Sequence, residues 1–148
     1  MLELHNGSLD VVEITSRWYK AVKDKNFGAL IPFIGIVRDE KGIDGLSFDV
    51  YEPILKNWFN AWQEKAKKEG AMLYMAHSKG DVLNHTSSYI SAVVSPQRKV
   101  GLRLINDFVE DFKANAPIWK YDLIDGKRVY ARERSQALSG AGLLSKDN

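Results

Sequence analysis

The chain has no cysteine in its 148 residues. A disulfide framework, a zinc-thiolate site and a cysteine nucleophile are therefore excluded. Long apolar runs are also missing, and none approaches the roughly 20 residues that a helix needs to cross a bilayer. Charge of one sign is scarce: the formal net charge is +2, too small to point to nucleic acid by itself. There is no glycine-rich phosphate loop and no serine nucleophile elbow. His5, His77 and His85 lack metal-ligand spacing, so no metal or cofactor is expected. Residues 1–10 show no basic-then-apolar leader pattern, and a cytoplasmic location is the default expectation.

What is present is ordinary globular composition, with 45% hydrophobic and 27% charged residues. Asp10 and Glu13 have the spacing of a capping box, and Val11, Ile14, Trp18 and Val22 follow on one helical face. Residues 29–38 are β-rich, with Pro32 and Gly35 marking an edge strand or a bulge. Leu46, Phe48 and Val50 alternate with polar residues, as in a half-buried strand. Pro53 opens a second helix that runs to about Glu69 on the face of Ile54, Trp58, Ala61, Trp62 and Lys65. Strands at 71–76 and 87–94 flank a loop through Lys79, Gly80 and Asp81. A third helix covers about 97–114, with Leu102, Ile105, Phe108, Val109 and Phe112 as its apolar stripe. Short turns between strand pairs favour antiparallel pairing. The expectation is an α+β domain, a largely antiparallel sheet packed with three helices, over residues 1–135, followed by a flexible tail at 136–148.

Six residues carry the functional signal: Pro117, Ile118, Trp119 and Lys120, then Lys127 and Arg128 beyond the Asp125-Gly126 step. Asp-Gly between strand-like runs predicts a hairpin that brings Lys120 and Lys127 towards one region. Cations beside bulky apolar surface suit an anion pocket, or an amine whose pKa is shifted by desolvation. Arg38 ends a strand and Arg98 starts a helix, where backbone amides also favour anions. Any one of these charges is more often simply solvated; their common placement at element ends is what singles out the group. Trp18, Trp58 and Trp62 read as core, whereas Trp119 either walls a pocket or anchors the hairpin.

Several blocks together resemble the large, catalytic subunit of molybdopterin synthase, the MoaE family, over about residues 1–135. They are Phe33 to Arg38, Tyr51-Glu52-Pro53, His77 with Gly80, Ser95 to Arg98, and Pro117 to Lys120. The resemblance implies an α/β-hammerhead-type domain that forms a homodimer. It implies a small ubiquitin-like sulfur-carrier subunit docked at each end, whose C-terminal Gly-Gly thiocarboxylate enters a pocket. Two sulfurs would pass to cyclic pyranopterin monophosphate, forming the molybdopterin dithiolene. Lys120 matches the family's essential lysine, and Lys127 and Arg128 match the basic segment after it. Arg38 and Arg98 match arginines that bind the pterin phosphate or nearby anionic groups. Gln97 stands where the family usually carries histidine, and Ser78 and His85 depart from its usual residues around His77.

Two other classes fit an α+β chain with basic residues: an RNA-binding module, and an interaction subunit without activity of its own. The aromatic RNP pattern of the first is absent. Co-purification with a Gly-Gly-ended protein separates sulfur transfer from RNA binding, and turnover separates it from an inert scaffold. The homodimer and carrier assembly involves no membrane and no nucleic acid.

Overall fold

The computed structural model describes residues 1–130. The proposed tail at 136–148, with Leu138, Leu143 and Leu144, and the boundary before it lie outside the described residues. In order, the elements are β1 (Leu2–Asn6), α1 (Val11–Val22), β2 (Ala29–Ile36), β3 (Gly45–Val50), α2 (Glu52–Lys68), β4 (Met72–Leu83), β5 (Ser87–Ser95), α3 (Arg98–Asn115), β6 (Ile118–Ile124) and β7 (Lys127–Tyr130). The strands form one sheet in the order β2-β5-β4-β3-β6-β7, with β1 joined to β4. All pairings are antiparallel except β1 with β4, which is parallel. The α+β architecture expected from the sequence is present.

Alternation along β5 divides the core. Ile90, Ala92 and Val94 pack with Ile14, Trp18 and Val22 of α1. Tyr89 and Val93 face the other way, against Leu55, Phe59 and Trp62 of α2 and Leu104, Phe108 and Phe112 of α3. The indole N–H groups of Trp58 and Trp62 both donate to Asp111, at 2.9 and 2.7 Å, and so tie α2 to α3. Gly101 lets α3 lie close to the sheet: a Cβ there would come within 2.6 Å of Ser95 Oγ and 2.7 Å of Ile31 Cδ1.

Asp10 caps α1 by accepting from Glu13 N at 3.1 Å. The reciprocal half of the capping box is not made, because the Glu13 carboxylate accepts from Arg17 at 2.8 Å instead. Four further expectations are corrected. β1 was not anticipated, although Leu2 and Leu4 alternate with Glu3 and His5. Lys79-Gly80-Asp81 lies inside β4, where Gly80 (φ +79°) bends the strand as it changes partner from β5 to β3. The buried face of α2 is Leu55, Phe59, Trp62 and Ala66, one position on from the stripe expected, and Ile54 is 39% exposed. Leu102 of α3 is likewise 53% exposed, and Gly101 and Leu104 take the inner face.

Candidate active site

Where β2 ends, the chain leaves the sheet and opens a cavity of about 310 Å³. Its walls come from the end of β2 and the chain after it, from β3, β4, β5, β6 and β7, and from α3. Gly35 to Arg38 and Glu40 form one side, Leu46 and Phe48 of β3 another, and His77 of β4 with Tyr89 of β5 the floor. Phe112, Lys113 and Ala116 from the end of α3 and Ile118 and Lys120 of β6 complete it. The size is that of a small-molecule site, and polar and apolar groups share its wall.

The floor is a stack of rings. Tyr89 lies flat on Phe112, with centroids 4.0 Å apart and planes 7° from parallel. His77 meets Phe48 edge-on at 4.9 Å. The His77 ring is 2% exposed, and burial pulls its pKa down to about 4, with nearby Lys113 adding to the effect. Nδ1–H donates to the Ser78 carbonyl at 2.8 Å, so the ring is neutral at pH 7 and Nε2 is left as an acceptor. His77 is therefore a polar wall of the cavity and not one of its charges. Burial also pushes the Tyr89 phenol up.

The cavity brings together some of the residues singled out in the sequence and leaves others apart. Lys120 is half-buried and lines it, directly opposite Phe48 in the β3–β6 register. Arg38 stands at its rim with a side chain 86% exposed, 4.0 Å from Glu40. The hairpin expected at Asp125-Gly126 is present, with positive φ at both residues (50° and 74°), as a type I′ turn requires. Lys127 pairs with Ile124 and so shares the face of Lys120, four positions along β6. Arg128 pairs with Leu123 on the opposite face. There its guanidinium bonds Asp49 at 2.8 Å and lies over the Tyr121 ring at 4.0 Å. Trp119 alternates to that same face, opposite Asp49, so it anchors the sheet and does not wall the pocket.

Gln97 and Arg98 lie elsewhere in the same chain. They start α3, exposed, just beyond the end of β5. From Tyr89 in the cavity floor to Ser95 is six strand steps, roughly 20 Å of extended chain. Gln97 makes no side-chain cap to α3, and its carbonyl accepts from Ser95 Oγ at 2.6 Å. Two charged cavity residues were missed from sequence, Lys113 and Glu40. Lys113 adjoins the apolar position Phe112 and reads there as a solvated helix-end lysine; only the tertiary course of α3 turns it towards Lys120.

The chain is similar to known proteins in sequence and in fold. Residues 8–115 match the family model described as MoaE protein. The molybdopterin synthase catalytic subunit of Helicobacter pylori (strain ATCC 700392 / 26695) is 52% identical over 145 residues, 98% of this chain and 100% of that one. A solved protein–protein complex of subunits 1 and 2 of molybdopterin-converting factor from Helicobacter pylori 26695 contains a chain that superposes with a TM-score of 0.91. That chain is 52% identical, and the superposition covers 97% of this chain and 99% of the other. Molybdopterin synthase from Staphylococcus aureus shares the fold at 22% identity, with a TM-score of 0.73 over 86% of this chain and 94% of that one.

Proposed function

This chain belongs to the MoaE protein family, and from that premise we infer that it is the catalytic subunit of a molybdopterin synthase. It takes sulfur from the thiocarboxylated C-terminus of a small carrier subunit and delivers it to cyclic pyranopterin monophosphate, forming the dithiolene of molybdopterin. The observation that carries this reading is the cavity itself, in which Lys120 and Arg38 stand over an apolar floor. Both reactants are anions, and each needs cationic groups in a site that excludes water. The sulfur arrives on the partner, so the absence of cysteine is no obstacle. The Lys120 ammonium stabilises the negative charge that develops on the oxygen of the tetrahedral intermediate at the carrier's acyl group, while Arg38 at the rim holds the precursor phosphate. The protein's contribution is to position two reactants and to stabilise that charge.

Gln97 and Arg98 enter this scheme through a second copy. β2 is an edge strand of the described sheet, and its Phe33, Ile34 and Ile36 are 37%, 38% and 63% exposed. The Ile36 end of β2 leads to the cavity, whereas its Ala29 end pairs with Ser95, beside Gln97 and Arg98. Two copies meeting antiparallel along β2 would set the Arg98 end of each beside the cavity of the other. A homodimer of this kind, with one carrier at each cavity, gives a heterotetramer with two complete sites. Arg128, held by Asp49 on the far face, then serves the hairpin, and Lys127 is the cation of that loop left for the reactants.

Among the described residues no helix is long and apolar enough to cross a membrane, and we place the enzyme in the cytoplasm, where cofactor assembly needs the soluble carrier. The test is a sulfur-transfer assay with purified protein, thiocarboxylated carrier and precursor. Dithiolene formation is expected. Folded protein that binds the carrier without turnover would support the inert-subunit reading instead.

A further inference from the structure

We propose that Lys113 is an anion-binding residue of this site, taking up a singly charged group of one reactant: the cyclic phosphodiester of the precursor or the thiocarboxylate of the carrier tail. The inference rests on the functional reading above and extends it to a residue that the sequence motifs do not include.

Lys113 lies in the last turn of α3 and lines the same cavity as Lys120 and Arg38. The residue is exposed, with its side chain on the cavity, and the protein atoms around it lower its pKa. Among the described residues it makes no hydrogen bond or ion pair. The one carboxylate of the cavity wall, Glu40, lies by Arg38. His77, its near neighbour on β4, is neutral. Among the described residues the wall therefore holds three cations and one carboxylate, a surplus of positive charge against apolar groups such as Phe112 and Ile118. A lysine at a helix C-terminus ordinarily reaches back to the last carbonyls or out to solvent. Among the described residues this one bonds none of those carbonyls, and its ammonium stays open to the cavity, where it can meet a bound anion.

The titratable groups that line the cavity with Lys113 are His77, Tyr89, Lys120, Arg38, Glu40 and Tyr130. Of these, His77 titrates near pH 4. Lys120 and the tyrosines are common to the wild type and its variants. The difference between wild type and Lys113→Arg therefore isolates the Lys113 amine.

The experiment titrates wild type, Lys113→Met and Lys113→Arg separately with precursor and with carrier ending in either carboxylate or thiocarboxylate. Lys113→Met should lose at least about tenfold in affinity for one of the two reactants, as expected when one charge-assisted contact is removed. The reactant that is lost identifies the anion. Lys113→Arg should keep most of the affinity. Wild-type affinity should fall as pH rises, starting below the usual lysine range, and the arginine variant should not show that early fall. A residue with a merely structural role would move neither the charge dependence nor the pH profile. Wild-type binding of both reactants that is matched by Lys113→Met would overturn this inference alone. Wild type that bound neither reactant would overturn the functional reading and this inference with it.

Discussion

At the residue scale, the cavity separates charges that bind from groups that only shape it. Arg38 is almost fully solvated, and its contact with Glu40, at 4.0 Å, is long. An exposed pair of this kind contributes little to stability. Arg38→Ala should therefore leave thermal stability unchanged and weaken precursor binding by about 1.5–3 kcal/mol, the worth of a hydrogen bond to a charged group. Calorimetric titration against precursor and carrier separately checks this, and equal losses for both ligands would remove the phosphate assignment. His77 has the opposite character. Its folded-state pKa, about 4, lies below the ordinary 6.5. Unfolded chain takes up a proton that the folded chain refuses, so stability is intact above pH 6.5 and is lost as pH falls towards 4. The loss should reach roughly 3 kcal/mol at the bottom of that window. Urea unfolding at a series of pH values should show this slope in the wild type. In His77→Gln the slope should be flattened between pH 6.5 and 4, whatever that variant's overall stability. Glu3 acts in a lower window: burial opposes its charge, but hydrogen bonds from Arg17, Trp18 and His5 outweigh burial and hold its pKa near 2.

At the element scale, close approach matters as much as hydrophobic pattern. α3 reaches the sheet through Gly101, where an added Cβ would sit 2.6 Å from Ser95 Oγ and 2.7 Å from Ile31 Cδ1. Gly101→Ala raises helix propensity, yet it should destabilise the protein by about 1–3 kcal/mol because the helix must shift off the sheet. Chemical denaturation gives the sign, and a stabilised variant would show that the contact is soft. The same elements show how far local pattern reaches. The Asp10 cap, the Asp-Gly turn and the edge character of β2 follow from local chemistry and are present as read. The faces of α2 and α3 were misplaced because residues flanking the true stripe, Ile54 and Leu102, are apolar too, and only packing partners choose between neighbouring stripes. Gly80 reads locally as a turn, and it becomes a bend within β4 only because β4 has separate partners at its two ends.

At the scale of the whole molecule, one part of the basic group lines the cavity within one chain and the other part does not, and the proposed dimer would bring it there. Lys120 and Arg38 converge within one chain. Arg98 stands at the far end of β5, and no local pattern could say that a second copy would return it to the cavity. The dimeric scheme makes a direct prediction. Lys120→Ala and Arg98→Ala proteins, each of low activity, should regain activity when they are unfolded and refolded together, because mixed dimers hold one site with both residues intact. Random pairing makes about half of the dimers mixed, with one intact site in two, so recovery should approach about a quarter of wild type. Absence of recovery alongside proven mixed dimers would place Arg98 outside the site. Light scattering should give a dimer alone and a heterotetramer with the carrier.

The central claim is that sulfur transfer takes place at Lys120, in the cavity between the end of β2 and β6. Its most direct test is a single-turnover reaction of Lys120→Ala with saturating thiocarboxylated carrier and precursor, followed by product analysis. Wild type should convert precursor to the dithiolene product. The variant should fold, dimerise and bind both reactants, yet form product at least about 100-fold more slowly, the scale of losing one electrostatic stabiliser of a developing charge. Product formation by Lys120→Ala at a rate near that of wild type would contradict the account.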